Sequence, residues 1–176
     1  MTCEYRSDPV LIGALAYWRS KRGSRSMPSR RDIDPVEVPR LLPNLQLIEI
    51  VAGGRWRYRL IGTALVEAFG RDYTGQFPDE LFDAPRARSI IETHNAVRHA
   101  RQPMFLRSRY ITTKDVDIVA NRLYLPLSDD DRDVNMILGA LTLGFGTIAS
   151  VAGAWGGSAR LASANSEIQT VDAAGA

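Results

Sequence analysis

The first apolar pattern in the chain has helical spacing. Within residues 9–22, the side chains Leu11, Leu15 and Trp18 recur every three or four positions. Asp8 precedes the pattern and is the type of residue that caps a helix N-terminus. The pattern therefore predicts a helix with one apolar stripe, which packs either on its own domain or on a second subunit.

A second helix is predicted over residues 85–101. At 100° per residue, five side chains fall on one face, and His94 lies near its centre while His99 lies well off it. The residues of this face are Ala87, Ile90, Ile91, His94 and Val97. A histidine at the centre of an apolar face is the most notable single residue of the sequence.

Five further stretches predict strands. The first two flank a Gly-Gly turn and form a hairpin in which Trp56, Tyr58 and Leu60 share one face. The last three are joined by short turns and are expected to form an antiparallel meander. Gly62 and Gly70 follow the hairpin and are expected to serve turns or helix ends. The predicted strands span residues 45–51, 56–61, 104–113, 117–127 and 134–145.

The order of these elements divides the chain into four parts. An N-terminal tail (1–8) precedes a helix and a basic, proline-rich linker (9–43), a central domain (44–147), and a C-terminal tail (148–176) that is expected to be flexible. The last part is rich in Ala, Gly and Ser, a composition that rarely builds a packed core.

Composition narrows the function classes without selecting one. The 176 residues suit one domain, and the formal net charge of +2 argues against a general binder of polyanions. Cys3 is the only cysteine, so no intrachain disulfide can form, which fits a cytoplasmic location. Charged residues in the first nine positions are unlike a secretory signal.

One uncharged stretch, residues 134–159, is long enough to span a bilayer. It contains six glycines, which make a continuous helix unfavourable. We therefore interpret it as a strand followed by a tail, and we expect no membrane span.

Several local motifs occur together in a fixed order. They are Met27-Pro28-Ser29-Arg30, Asp32-Ile33-Asp34-Pro35, Leu41-Leu42-Pro43, Tyr58-Arg59-Leu60-Ile61-Gly62-Thr63, Gly70-Arg71-Asp72-Tyr73-Thr74-Gly75 and Leu125-Pro126-Leu127-Ser128. As a set, over most of the chain, they resemble a PAS-like domain family of proteobacterial and mainly alphaproteobacterial proteins, most of them uncharacterised. The order of two strands, small helices, a longer helix and three strands is also that of a PAS domain.

The resemblance implies an α+β fold with a five-stranded antiparallel sheet and helices on one face, preceded by an N-terminal helical extension. It implies a sensory or protein-interaction role in bacterial signalling, often as a homodimer. It implies no catalytic motif and no particular ligand or cofactor, since PAS domains variously bind haem, flavin, small acids or nothing. Light-driven flavin chemistry is excluded because it needs a cysteine that this chain lacks after the second strand.

A binding pocket between the longer helix and the sheet is the main candidate site. An imidazole there could serve as a haem ligand or form a hydrogen bond inside the core. Arg107, Arg109 and Arg122 lie in predicted strands, where alternation decides whether each faces solvent or ligand. The expected pocket residues are His94, Ile91, Phe105, Arg107, Arg109 and Leu123.

Catalytic and metal sites find little support in the sequence. His94 and His99 are five residues apart and lie about 140° from each other on a helix, so they cannot share a metal. No nucleophile elbow or phosphate-binding loop is present. Residues 129–131, three aspartates in a turn, are expected to be a solvated turn rather than a cation site. The sequence therefore predicts that the protein is not an enzyme.

Two surfaces are candidates for partners. Leu11, Leu15 and Trp18 are expected to form the contact stripe of a homodimer. The basic stretch at residues 21–31 is a weaker candidate for contact with nucleic acid or an acidic protein, because nearby acidic residues neutralise it and no aromatic residues are interleaved. A signalling partner protein is expected, and the sequence does not identify it.

Overall fold

A computed structural model of the chain describes residues 7–111, 117–146 and 166–171. It contains four α-helices and six strands in these ranges. The helices are α1 (Pro9–Arg22), α2 (Thr63–Phe69), α3 (Pro78–Leu81) and α4 (Ala84–Ala100). The strands are β1 (Leu45–Ile50), β2 (Trp56–Ile61), β3 (Met104–Ile111), β4 (Asp117–Leu127), β5 (Met136–Gly146) and β6 (Ser166–Thr170).

The strands form one antiparallel sheet in the order β2-β1-β5-β4-β3-β6. The meander β3-β4-β5 and the hairpin β1-β2 were both predicted, and they meet because β1 pairs with β5. The α+β, PAS-like fold with a five-stranded antiparallel core sheet is thus confirmed. None of the helices in the described ranges is long and apolar enough to cross a bilayer.

The sixth strand corrects the prediction of a flexible tail over residues 148–176. Ser166–Thr170 pairs antiparallel with β3, and the amide of Val171 donates to the carbonyl oxygen of Pro103 at 2.8 Å. A strand edge left unpaired exposes backbone donors and acceptors, which this addition satisfies along β3. Residues 147–165 and 172–176, like residues 112–116 between β3 and β4, lie outside the described residues.

The two faces of the sheet are both covered. The inner face carries Trp56, Tyr58 and Tyr124 and packs against α4. The outer face carries Leu123 and Thr142, and α1 lies on it, since the hydroxyl of Thr142 bonds to the α1 cap residue, Asp8. Because β4 is buried on both sides, it reads as an almost continuous apolar run.

A β-bulge in the hairpin changes one predicted orientation. The pairing shifts between Leu47 and Ile48, so that Leu47 pairs with Leu60 while Ile48 pairs with Tyr58. The extra residue reverses the alternation beyond Tyr58. Leu60 is therefore exposed on the outer face, and Ile61, predicted to face away from Trp56, is buried in its place.

The predicted role of Gly62 is confirmed by a close approach between segments. A Cβ atom at this position would lie 2.3 Å from the carbonyl oxygens of both Leu42 and Pro43. Because these are backbone atoms, relief requires movement of the linker that enters β1. Gly70 ends α2 in the left-handed conformation, at φ 75°.

We predict that Gly62→Ala lowers the free energy of unfolding by about 1–3 kcal/mol, because the added methyl overpacks against backbone. Urea denaturation followed by circular dichroism measures this change. Gly144→Ala is the matched control, since its Cβ would meet only the Val119 carbonyl oxygen at 3.9 Å. Equal stabilities of the two variants would contradict the predicted clash.

Candidate functional site

Helix α4 places His94 in the middle of the protein. The helix begins at the cap residue Asp83, whose carboxylate accepts the amide of Arg86 at 3.0 Å, and its buried stripe faces the sheet. His94 is 1% exposed, which confirms its predicted place on the packed face. Ile91, one turn earlier, is half-buried against the same core. His99 is exposed, as predicted.

Three aromatic rings surround the His94 imidazole edge-on. Ring centroids lie 5.4 Å away for Trp56, 5.5 Å for Tyr124 and 6.4 Å for Tyr58. All three come from the inner face, on strands that are not neighbours in the sheet. We call His94 and these three rings the aromatic cage. Such edge-to-face contacts are favourable and fix the orientation of the imidazole.

The position of β5 next to the aromatic cage on the inner face is a glycine and has no side chain. Tyr124 pairs with Gly139 of β5, and Gly139 in turn pairs with Gln46 of β1. A Cβ at Gly139 would lie 2.7 Å from the Gln46 side chain, which therefore occupies the space that a larger residue would fill. The absence of a side chain on β5 leaves room for groups from the neighbouring strands.

The electrostatics of the cage favour a neutral imidazole. Burial, with a smaller contribution from the Arg122 charge, lowers the pKa of His94 to about 3. Burial also raises the pKa of Tyr58 and of Tyr73, whose ring lies 4.8 Å from that of Tyr58. The His94 Nδ1 atom is buried and has no hydrogen-bond partner within the described structure. The site thus presents one unsatisfied polar atom within an apolar lining.

The predicted pocket combined two residues of α4, which packs on the inner face of the sheet, with four strand residues. Phe105, Arg107 and Arg109 alternate with the inner-face residues of β3 and pair with outer-face residues of β4, one of which is Leu123. These four residues therefore lie on the side of the sheet opposite His94, and the prediction is wrong for them. Arg109 is exposed there. Burial does alternate along β3, with Leu106 and Ser108 buried and Arg109 exposed, but the local sequence does not show which face of the sheet α4 covers.

Arg122 is the arginine that faces inward among the three that the sequence singled out. It shares a face with Tyr124, and its Nη1 donates to the Ser108 hydroxyl at 3.2 Å. Sequence reasoning missed Trp56, Tyr58 and Tyr124 as site residues. The spacing of Trp56 and Tyr58 was the available signal, because aromatic residues two apart in a hairpin strand share a face.

The predicted dimer stripe is part of the core of this chain. Leu11, Leu15 and Trp18 are buried beneath α1, and the Trp18 indole donates to the carbonyl oxygen of Pro126 at 2.8 Å. Fully buried side chains cannot also form an intermolecular contact, so the prediction is wrong for these residues. A helix stripe needs an apolar partner, and the outer face of the sheet provides it.

Hydrogen bonds and ion pairs hold the basic linker against the protein, so it does not extend freely into solvent. The amides of Ser26 and Met27 both donate to the Asp131 carboxylate, and Met27 is fully buried. Ion pairs also hold Lys21 to Glu37 and Arg25 to Asp32. The acidic turn thus binds the linker, which argues against a free arm for nucleic acid or an acidic protein.

The acidic turn is built by hydrogen bonds. Asp130 accepts the amides of Arg132 and Asp133 and the Ser128 hydroxyl, and these bonds lower its pKa to about 2. Within the described ranges, no three His, Cys, Asp or Glu residues form a group that could hold a metal ion. Asp129 and Asp130 are exposed, as expected for a solvated turn, but the bonds that the turn makes to the linker were not predicted.

The aromatic cage does not fit haem. Ligation by imidazole requires that a porphyrin plane lie beside a ring nitrogen. The ring centroids of Trp56, Tyr124 and Tyr58 lie 5.4, 5.5 and 6.4 Å from that of the imidazole, so these rings occupy space beside it that a porphyrin would need.

Comparison with known proteins gives one result. A family model described as PAS domain matches residues 7–142, which is more than half of the chain and includes α1 as well as the sheet and α4. No curated protein matches the chain. The alphaproteobacterial subgroup suggested by the motifs stays a prediction.

We predict that His94 makes stability depend on pH. The unfolded chain binds a proton on this residue near pH 6.5, and the folded protein does so only near pH 3. Protonation therefore favours the unfolded chain as pH falls below 6.5. Between pH 6 and 4 the free energy of unfolding decreases by about 1.4 kcal/mol per pH unit because of this residue. His94→Phe should remove this slope, as measured by urea denaturation across that range.

The control is His99→Gln, which removes an exposed histidine from the same helix. A His94→Phe variant that keeps the wild-type slope would show that the imidazole is not the buried neutral group described above.

Proposed function

Because the chain belongs to the PAS-domain family of sensory and signalling domains, we propose that it is a non-catalytic sensor that acts by binding other molecules. The observation that carries the proposal is the unsatisfied Nδ1 of His94 inside the aromatic cage. Leaving such an atom buried without a partner costs about 1–3 kcal/mol. A ligand that forms a hydrogen bond with the His94 Nδ1 atom would recover that free energy, and this gain would favour binding.

The surroundings of this atom suggest the kind of ligand. Trp56, Tyr58 and Tyr124 offer ring edges and faces, which favour a flat, largely apolar molecule. The neutral imidazole favours one hydrogen-bonding group on that molecule. With a pKa near 3, His94 is a poor proton acceptor at neutral pH, so binding rather than acid–base catalysis suits it.

We predict that a small organic molecule binds at the aromatic cage. Native mass spectrometry of the purified protein, together with an absorption spectrum, reports any molecule that copurifies, and a fragment panel read by ligand-observed NMR covers weak ligands. His94→Phe replaces the imidazole with a somewhat larger ring that has no polar atom, and it should abolish binding. Arg109→Gln, exposed on the outer face, should leave it intact.

A purified protein without added mass, and a panel in which no compound separates these two variants, would contradict the small-molecule proposal. Binding that both variants retain would place the ligand elsewhere. In either case protein interaction would remain as the sensory role.

We further propose that the protein forms a homodimer through the outward face of α1. Ile12 is 43% exposed on that face, and its neighbour one turn later, Ala16, is small enough to let a second helix approach. This contact replaces the stripe expected from the sequence, which packs inward. A signalling partner and a cytoplasmic location stay predictions of the sequence.

For the dimer, we predict that Ile12→Asp halves the molar mass measured by size-exclusion chromatography with light scattering, because it buries a charge in an apolar contact. Val36→Asp is the matched control, since Val36 is 82% exposed and lies in the linker. A wild-type protein that is monomeric at all concentrations, or a dimer that survives Ile12→Asp, would contradict this interface.

A further inference from the structure

Three segments that are distant in the sequence meet at the turn between β4 and β5. The Asp131 carboxylate accepts the amides of Ser26 at 2.9 Å and Met27 at 3.1 Å. The backbone carbonyl oxygen of the same residue accepts the Arg101 guanidinium at 2.9 Å. One residue thus joins the segment after α1 to the residue that ends α4.

The backbone at both ends of this contact is in an unusual conformation. Among the described residues, the non-glycine positions with positive φ are Arg101, at 55°, and Asp131, at 59°. Such conformations persist where surrounding contacts hold them. Here the contact that spans the two residues is between those residues themselves, so the two unusual conformations support each other.

A second set of bonds fixes the linker to the same turn. The amide of Ser128 donates to the carbonyl oxygen of Pro28 at 2.9 Å, and the Ser29 hydroxyl donates to the Asp129 carboxylate. Ser29 and Ser128 are buried, as is Met27 between them and Asp131. We call residues 26–29 with residues 128–131 and Arg101 the turn latch.

The turn latch joins the C-terminal end of α4, the helix that carries His94, to the segment that follows α1. His94 and Val97 lie on one side of α4, and the C-cap residue Arg101 follows Val97 one turn later. Beyond the latch, residues 26–29 follow the end of α1 by only a few positions. α1 covers the opposite face of the sheet, and no other described hydrogen bond of Arg101 reaches that side.

We propose that the turn latch couples the end of α4 to α1, so that displacement of α4 changes how firmly the segment after α1 is held. Its role as a signal route rests on the proposed function, because the displacement would come from a ligand at the aromatic cage. The coupling itself requires no ligand and can be measured in the free protein. A coupling of this kind is a free energy between two sites and therefore acts in both directions.

Hydrogen exchange of the full chain, read by mass spectrometry, tests the coupling. Arg101→Asn removes the guanidinium, and asparagine tolerates the left-handed conformation, so no backbone strain is added. We expect exchange of the amides in residues 23–30 to rise roughly threefold to tenfold, as for loss of one exposed hydrogen bond of ordinary strength. Arg98→Gln, exposed one turn earlier on α4, is the control and should change neither region.

Reciprocity provides the second variant. Asp131→Gly relaxes the backbone but removes the carboxylate, so it should raise exchange in residues 23–30 and also in the last turn of α4. Asp131→Asn keeps an acceptor oxygen and the conformation, and should produce the smaller effect of the two.

The proposal is overturned if Arg101→Asn raises exchange only next to residue 101, or if Asp131→Gly leaves the end of α4 unchanged. Because the exchange experiment contains no ligand, these outcomes are independent of whether a molecule binds at the aromatic cage.

Discussion

The burial of the central sheet on both faces is the constraint from which the rest of the structure follows. α4 covers the inner face and α1 the outer one, so β4 carries apolar side chains in both directions. Removing this area from water is the main favourable contribution to folding, at roughly 25 cal/mol per Å². The same arrangement explains why α1 cannot be a detachable arm, since its apolar stripe completes the outer layer of the core.

Within this frame, the aromatic cage encloses a polar atom, the His94 Nδ1, that has no hydrogen-bond partner among the described residues. The protein tolerates the unpaired Nδ1 of His94 because three ring edges pack against the imidazole and because the imidazole stays neutral. Packing alone would be served as well by an apolar residue of the same size. This difference between a histidine and an apolar residue is the basis of the binding role that we propose for His94.

The acidic turn links the two layers. Its carboxylates accept hydrogen bonds from backbone amides and from a side chain of the linker. The acidic residues of this turn therefore hold the linker in place as well as facing solvent. These hydrogen bonds also help to explain why the basic linker is packed on the protein. Amides and positively charged side chains of the linker have partners nearby on the same chain. The opposite charges of the basic linker and the acidic turn thus stabilise the packing of one segment on the other within the molecule.

The sequence by itself determined the α+β class, both long helices, the order of five strands and the central position of His94. These follow from local periodicity and from helix-cap and turn residues, for which the neighbouring sequence suffices. Only the tertiary structure decided that Phe105 and Arg107 face away from His94, since alternation along β3 does not show which face of the sheet α4 covers. It likewise decided that Leu15 packs inward and that residues 166–170 add a strand. Which surface covers an apolar stripe, and which edge accepts a strand, depend on segments far away in the chain, and no local pattern records them.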